Sequence, residues 1–148
     1  FKPTTAYAIL SGLVGSEMCI RDSPDSVQIM GEPGRFLVGS AGCLVTQVIG
    51  LATRDEQRWV YLDTAFYGGF MEMAESFPLK IISERTGEAH LWTLAGPTCD
   101  SIDVLGEHSL PSNTEVEDIL YIPNLGAYCT TCACDFNGFP VPEMVVVA

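Results

Sequence analysis

Basic side chains are scarce in this chain of 148 residues. Lysine and arginine together number 7 against 19 aspartates and glutamates, which gives a formal net charge of −12. A chain this acidic is repelled by nucleic-acid phosphates and by anionic membrane surfaces, so the charge argues against both as partners. It suits cationic small molecules, although solubility alone would also account for it.

Long apolar runs are lacking as well. The longest stretch without a charged residue is Phe36 to Thr53, and three glycines and the polar Ser40, Thr46 and Gln47 interrupt it. A membrane span needs about 20 predominantly apolar residues, so no transmembrane segment is predicted. The apolar positions recur at steps of three and four residues, which predicts a buried helix over residues 36–52.

Histidine is too sparse to complete a metal site. The two histidines, His90 and His108, lie far from the cluster of Cys129, Cys132 and Cys134. Structural zinc needs four ligands, usually as two spaced pairs, so no metal is predicted. The six cysteines are unevenly spaced in a chain that is not small, which predicts free thiols and a reducing, cytoplasmic location.

The remaining pattern is that of a mainly β protein with some α structure. Strands are predicted at residues 27–30, 58–62, 79–83, 89–95, 119–122 and 144–148. Residues 66–74 suggest a loop with a short helix, and residues 101–105 fit either a loop or a strand. One strand–helix unit followed by several strands indicates the end of an α/β domain joined to a β domain.

The N-terminal residues do not enter this fold prediction. The segment Leu13 to Ser23 resembles a translated sequencing adapter. We therefore expect residues 1–26 to be an artefactual or unstructured leader, to be set aside like any processing segment. A genuine irregular segment is the alternative.

The first candidate site is Glu32-Pro33-Gly34-Arg35, a predicted turn before the predicted helix. Glycine allows close backbone approach, a helix N-terminus supplies amide donors, and arginine adds a charged fork, a combination that can hold a phosphate. Glu32 is itself negatively charged, so its place beside an anion site is favourable only if its carboxylate faces a cation. The alternative is a turn with a solvated Glu–Arg pair.

The second candidate is Gly96-Pro97-Thr98-Cys99-Asp100. Adjacent side chains on a strand point to opposite faces, so Cys99 and Asp100 can serve one site only from a loop, which Gly96-Pro97 favours. Cys99 could then donate a proton and Asp100 could anchor an ammonium group. The alternative is a packed cysteine and a turn-capping aspartate.

Two further side chains are candidate site residues. Tyr128, in Gly126-Ala127-Tyr128, could give its hydroxyl to a phosphate, or could simply be a core tyrosine with its hydroxyl at the surface. Asp63, at the end of a predicted strand, could bind an amine or cap a turn.

In their order and spacing these motifs, with Phe136-Asn137-Gly138-Phe139, resemble the C-terminal signature series of the ornithine and lysine decarboxylases. These are pyridoxal-phosphate-dependent enzymes with an alanine-racemase-like fold, and the likeness runs from Val27 to Ala148. It implies a (β/α)8 barrel joined to a β domain. Residues 27–54 would then be the last strand–helix unit of the barrel, and residues 55–148 the C-terminal β domain.

The resemblance also implies residue roles toward pyridoxal 5'-phosphate and a basic amino acid. Glu32 matches the carboxylate that faces the pyridine nitrogen, and Pro33, Gly34, Arg35 and Tyr128 match the phosphate site. Asp63 and Asp100 match the carboxylates that hold the distal ammonium of the substrate. Cys99 matches the residue that returns a proton to the α-carbon. Cys99 and Asp100 would reach into the partner's site, which implies a homodimer with shared active sites.

The implied reaction is decarboxylation of L-ornithine, or of L-lysine, to a diamine of polyamine biosynthesis. Lys2 and Lys80 are the only lysines, and neither lies in a matching motif, so we expect this chain alone to be inactive. The alternatives are a non-catalytic regulatory homologue, a decarboxylase of another diamino acid, and an acidic β domain with a binding role.

Overall fold

The computed structural model describes residues 24–26, 28, 33–71 and 79–147. The chain divides into two compact units, residues 1–37 and residues 38–148. Apart from Gln28, the strand predicted at residues 27–30 lies outside the described residues, and so does most of the predicted leader. A short helix, α1 (Gly34–Val38), begins in the first unit.

The second unit contains a six-stranded sheet with the order β3-β6-β1-β2-β4-β5. The strands are β1 (Cys43–Arg54), β2 (Gln57–Leu62), β3 (Ile82–Ser83), β4 (Ala89–Ala95), β5 (Val104–Pro111) and β6 (Ile119–Pro123). Two 3-10 helices are described, at Gly39–Ala41 and Phe66–Gly68. Neighbouring strands run antiparallel except β2 and β4, which are parallel. The prediction of a mainly β protein is thus confirmed.

The helix predicted over residues 36–52 is wrong. Only Gly34–Val38 is α-helical, and β1 occupies the second part of that stretch. The apolar spacing fitted a helix, but Val45, Thr46, Val48 and Ile49 are β-branched and favour a strand. Hydrogen bonding to β6 on one side and β2 on the other then decides the outcome.

The long strand β1 links the two parts of the sheet. Its first half pairs with β6 from Cys43 to Gln47, and its second half pairs with β2 from Val48 to Arg54. The register shifts between Val48 and Gly50, a bulge of the kind that lets a strand bend from one neighbour to the next. Residues 43–54 therefore share a sheet with the strands that follow. The domain boundary predicted after residue 54 stays a prediction.

The other strand predictions are confirmed in part. Those at residues 58–62, 89–95 and 119–122 are confirmed, whereas the strand predicted at 79–83 shortens to β3. The segment at 101–105 divides into a loop and the start of β5. The strand predicted at 144–148 is wrong for residues 144–147, which form no ladder with the described residues and expose Met144 at 68% and Val147 at 89%. Valine content favours a strand, but only a partner strand can form one.

The core lies under β1, β2, β4 and β6. Val48, Val60, Leu62, Leu94, Leu120 and Ile122 are fully buried there. Each such side chain contributes about 1.5–3 kcal/mol through burial. Among the described helices, none is long and apolar enough to cross a membrane. Segments that follow these packed strands carry the candidate residues Asp63, Cys99, Asp100 and Tyr128.

Candidate functional site

The parallel pairing of β2 and β4 brings two candidate segments together. Tyr61 pairs with Ala95 near the ends of these strands. Parallel neighbours end at the same edge of a sheet, so the residues that follow β2 lie beside those that follow β4. Asp63 and Tyr67 come from the first segment, and the loop of residues 96–103 is the second. A shallow recess between them is lined by Asp63, Tyr67, Gly68, Thr98, Asp103 and Cys134, among others.

Asp103 fixes the shape of the loop. It is 2% exposed, and its carboxylate accepts hydrogen bonds from the Phe66 N–H at 2.9 Å, the Thr98 N–H at 3.1 Å and the Thr98 hydroxyl at 2.7 Å. Its backbone closes the loop as well, because the Gly96 N–H donates to the Asp103 carbonyl at 2.8 Å. A buried carboxylate is tolerated when it is hydrogen-bonded in this way. Cys99 and Asp100 are thus held in a loop, as the sequence predicted.

Asp100 is hydrogen-bonded through both carboxylate oxygens. Oδ1 accepts the Ile102 N–H at 3.1 Å, and Oδ2 accepts the Tyr67 hydroxyl at 2.5 Å. The hydrogen bond from Tyr67, and then that from Ile102, lowers the pKa of Asp100 below its ordinary value, because both donors stabilise the carboxylate. Oδ1 of Asp100 therefore caps a turn, and the Tyr67 hydroxyl orients Oδ2. The carboxylate as a whole stays charged.

Tyr67 is a site residue that sequence reasoning missed. Its ring stacks on Phe136 with centroids 3.8 Å apart and an interplanar angle of 15°. The hydrogen bond to Asp100, followed by burial and by the charges of Asp100, Asp103 and Cys134, raises its pKa to about 12. The available signal was the aromatic pair Phe66-Tyr67 before Gly68-Gly69, directly after a strand that ends beside a candidate carboxylate.

Cys99 is exposed and contacts the Phe136–Phe139 turn. The Asn137 amide donates to the Cys99 Sγ at 3.6 Å. Phe136 and Phe139 exchange two backbone hydrogen bonds, of 3.1 and 2.9 Å. Between them Asn137 and Gly138 have φ of 53° and 85°, the left-handed conformation of a tight hairpin turn. One turn thus contacts the thiol directly and the Asp100 carboxylate through Tyr67.

Asp63 is tied to β1. Its Oδ1 accepts the Thr46 hydroxyl at 2.5 Å and the Gln47 N–H at 3.0 Å, while its own N–H donates to the Gln47 carbonyl at 3.0 Å. These bonds fit the structural alternative, in which the aspartate closes the end of a strand. Asp63 nevertheless lines the recess, so a role toward an amine stays a prediction.

Tyr128 lies on a loop whose backbone packs directly against the residues that precede β1. The Gly126 N–H donates to the Gly39 carbonyl at 2.9 Å, and the Leu125 N–H to the Gly42 carbonyl at 3.0 Å. A Cβ on Gly126 would overlap the Val38 carbonyl, so only glycine fits. Tyr128 itself has a φ of 61° and is 53% exposed. The core-tyrosine alternative is therefore wrong, and this fixed loop presents the ring at the surface.

The predicted phosphate motif is described only in part. Glu32 lies outside the described residues, and Pro33 directly precedes α1. Gly34 and Arg35 are not in a turn but are the first two residues of α1. Their roles toward a phosphate stay predictions.

The cysteines that the structure describes, Cys43, Cys99, Cys129, Cys132 and Cys134, are all free thiols. Within the described ranges, no group of three or more histidine, cysteine or acidic side chains is placed to hold a metal ion. Cys134 is the member of the cysteine cluster that lines the recess.

Known proteins resemble this chain in both sequence and fold. Residues 12–126 match the family described as pyridoxal-dependent decarboxylase, C-terminal sheet domain. The lysine/ornithine decarboxylase of Selenomonas ruminantium is 36% identical over 126 residues, covering 83% of this chain and 31% of that protein. The chloroplastic ornithine decarboxylase of Nicotiana glutinosa is 34% identical over 155 residues, covering 96% of this chain and 35% of that protein.

The fold agrees with a solved structure. The lysine/ornithine decarboxylase of Vibrio vulnificus, complexed with cadaverine, superposes with a TM-score of 0.74 at 33% identity, covering 90% of this chain and 37% of that one. The chain spans about a third of the length of the curated relatives it matches. On the family match and these identities, the chain belongs to the pyridoxal-dependent decarboxylases and carries their C-terminal sheet domain.

Proposed function

We propose that the full-length protein is a pyridoxal-phosphate-dependent decarboxylase of L-ornithine, with L-lysine as a second substrate. The observation that carries the proposal is the adjacent pair Cys99 and Asp100. An exposed thiol and an oriented, ionised carboxylate lie on one hydrogen-bonded loop, whose Pro97 and Thr98 line the recess. A decarboxylase of basic amino acids needs a proton donor and an ammonium anchor, and this pair supplies both.

The donor set suits the cofactor. A guanidinium at Arg35 and a phenol at Tyr128 match an anionic phosphate ester, and a carboxylate at Glu32 matches a protonated pyridine nitrogen. Gly126 packs against the backbone before β1 with no space for a Cβ. This packing fixes the loop that carries Tyr128, whose hydroxyl would contact the phosphate. Pyridoxal phosphate supplies, when bound, the electron sink for the carbanion that CO2 loss creates. Pro33, Gly34, Arg35 and Tyr128 would hold its phosphate.

The substrate's distal ammonium is held by carboxylates. Asp100 stays ionised because its pKa is lowered, so it offers a full negative charge at neutral pH. Asp63, contributed by the other subunit of the dimer proposed below, is the second carboxylate of the proposal. Ornithine and lysine differ by one methylene, which a pocket discriminates by only about 1–3 kcal/mol. The names of the Selenomonas and Vibrio relatives, both lysine/ornithine decarboxylases, support two substrates.

Cys99 returns the proton. Loss of CO2 leaves an electron pair at the α-carbon, and the Cys99 thiol donates its proton there and is then reprotonated from solvent. The sulfur accepts a hydrogen bond from the Asn137 amide at 3.6 Å. The product is a diamine, putrescine from ornithine or cadaverine from lysine, which places the cytoplasmic enzyme in polyamine biosynthesis.

The test uses a full-length gene that encodes this C-terminal sequence. The purified protein is given pyridoxal phosphate, and CO2 release is measured with L-ornithine and with L-lysine. Cys99→Ala and Asp100→Ala are compared with Cys43→Ala and Asp55→Asn, which change an exposed cysteine at the start of β1 and an exposed aspartate in the β1–β2 turn. We expect both substrates to release CO2, the site variants to lose most of the rate, and the controls to keep it.

Two results would overturn parts of the proposal. A protein that binds the cofactor but acts on neither amino acid contradicts the substrate assignment and points to another diamino acid. A protein that binds no cofactor supports the non-catalytic regulatory alternative.

The proposed assembly is a homodimer in which Cys99 and Asp100 complete the partner's site. Mixed dimers of Cys99→Ala and Arg35→Ala test it, because each variant is inactive alone yet a mixed dimer holds one intact site. With random mixing about half of the dimers are mixed, and each of these has one intact site of its two. About a quarter of wild-type activity is then restored. If each chain used its own Cys99, mixing would restore none.

A further inference from the structure

We propose that Tyr67 is a positioning residue for Asp100: its hydroxyl, together with the Ile102 N–H, holds the carboxylate in the orientation that binds the substrate's distal ammonium. This inference rests on the proposed function, because that function gives Asp100 its ligand. The relationship lies between two loops distant in sequence, one after β2 and the other after β4.

The Tyr67 ring packs against two other aromatic rings. Phe136 stacks on one face with centroids 3.8 Å apart, and Phe66 meets the ring edge-on at 5.4 Å. The main chain is fixed too, since the Cys134 N–H donates to the Tyr67 carbonyl at 3.0 Å. A ring packed this way aims its hydroxyl in one direction. The hydrogen bond to Asp100 therefore orients the carboxylate, since the tyrosine side is already fixed.

Room for a ligand remains on the carboxylate. An ionised carboxylate has about four acceptor positions. Among the described residues, the Ile102 N–H occupies one position on Oδ1 and the Tyr67 hydroxyl one on Oδ2. An ammonium group can therefore bind Asp100 without displacing either donor. The two existing bonds reduce the rotamer freedom that the side chain would otherwise lose on binding.

The charges around the pair keep each group in the required form. Asp100, Asp103 and Cys134 act on Tyr67 and oppose formation of a phenolate, so Tyr67 remains a donor. Asp100 in turn is stabilised as a carboxylate by Tyr67 and Ile102. At neutral pH the pair is thus a neutral donor and a charged acceptor.

The test is Tyr67→Phe in the full-length protein, because phenylalanine keeps the stack on Phe136 and removes only the hydroxyl. We expect KM for L-ornithine to rise about tenfold, as for a lost hydrogen bond to a charged group, with kcat changed much less. The acid limb of kcat/KM moves to higher pH, because Asp100 then protonates more readily. Carbon NMR of labelled aspartate carboxyls shows the pKa of Asp100 rising in the variant.

Tyr61→Phe is the matched control. The Tyr61 hydroxyl has no hydrogen-bond partner among the described residues, so removing it leaves KM, the acid limb and the Asp100 titration as in wild type. Phe136→Leu is the second variant; it loosens the ring but keeps the hydroxyl, and it moves the same readouts in the same direction by less. It carries the test alone if Tyr67→Phe does not fold.

The outcomes separate the two claims. Unchanged KM, acid limb and Asp100 titration in Tyr67→Phe overturn the positioning role. If the wild type releases no CO2, the proposed function fails, and the Asp100 titration still decides whether Tyr67 controls this carboxylate. A moved titration with unchanged KM overturns the link to substrate binding.

Discussion

The carboxylate of Asp103 lies against the Cα of Gly96, so closely that a Cβ on Gly96 would overlap both carboxylate oxygens. This contact fixes the conformation of the loop of residues 96–103, which contains Cys99 and Asp100. The aspartate is buried, and its three side-chain hydrogen bonds leave it little freedom to move aside.

Gly96→Ala therefore destabilises the protein. We expect the free energy of unfolding to fall by about 1–3 kcal/mol, as for other overpacking substitutions. Urea denaturation of the full-length protein measures it. Gly50→Ala is the control, because a Cβ there meets Tyr61 at an ordinary 3.6 Å and should change stability little. Equal effects of the two substitutions would refute the steric argument.

Removing the Asp103 carboxylate leaves buried donors unpaired. Asp103→Ala deprives the Phe66 and Thr98 N–H groups of their acceptor, and each unsatisfied group costs about 1–3 kcal/mol. Asp103→Asn keeps one acceptor oxygen and should cost less. Denaturation midpoints that rank wild type above asparagine and asparagine above alanine support this role. An alanine variant as stable as wild type contradicts it.

The Tyr67–Asp100 pair makes stability depend on pH at both ends of the scale. The folded-state pKa of Tyr67 is raised to about 12 from 10.0, so its contribution is complete below pH 10 and is lost as the pH rises through about 12. Asp100 has a folded-state pKa below its ordinary value of 3.8. Its contribution to the free energy of unfolding is therefore complete above pH 3.8 and is lost as the pH falls through the lower, folded-state pKa.

A tyrosine titration followed by NMR of labelled rings checks the alkaline side. Tyr67 should ionise near pH 12, and Asp100→Asn should move it back toward 10.0, because the hydrogen bond to the carboxylate is the largest cause of the shift. An unmoved Tyr67 in that variant would contradict the assignment.

The second central residue of the β1–β2 turn, Glu56, is unsuited to its backbone conformation. Asp55 and Glu56 have φ of 48° and 69°, values that hairpin turns usually assign to asparagine and glycine. Glu56→Gly should stabilise the protein by about 0.4–1 kcal/mol by relieving this conformation. Glu107→Gly, in the middle of β5, should instead destabilise it. The comparison is made by thermal unfolding, and a loss of stability in Glu56→Gly would count against the account.

Sequence alone was most informative where the chemistry is local. Cys99 and Asp100 were placed in a loop because Gly96-Pro97 precedes them, and the loop is there. Tyr67 was missed because its partner, Asp100, is 33 residues away, and only the parallel pairing of β2 with β4 brings them together. No local pattern encodes that contact.

The errors in secondary structure have a similar cause. Leu44, Val45, Val48 and Ile49 fit a helical spacing, but the strand takes over because β6 and β2 offer hydrogen bonds on both sides. Strand β5 was largely missed because Gly106, Glu107 and His108 dilute its apolar signal, although Leu105 and Leu110 are buried. Tertiary pairing outweighs the local pattern in both places.

We propose above that Asp100 holds the distal ammonium of a basic amino acid. The most direct test is kcat/KM for L-ornithine in the full-length protein with Asp100→Asn, against Asp55→Asn, whose turn readily accepts asparagine. We expect kcat/KM to fall on the order of 100-fold for Asp100→Asn, as for breaking one partner of a charged pair, and to stay unchanged for Asp55→Asn. Equal kcat/KM in the two variants would contradict it.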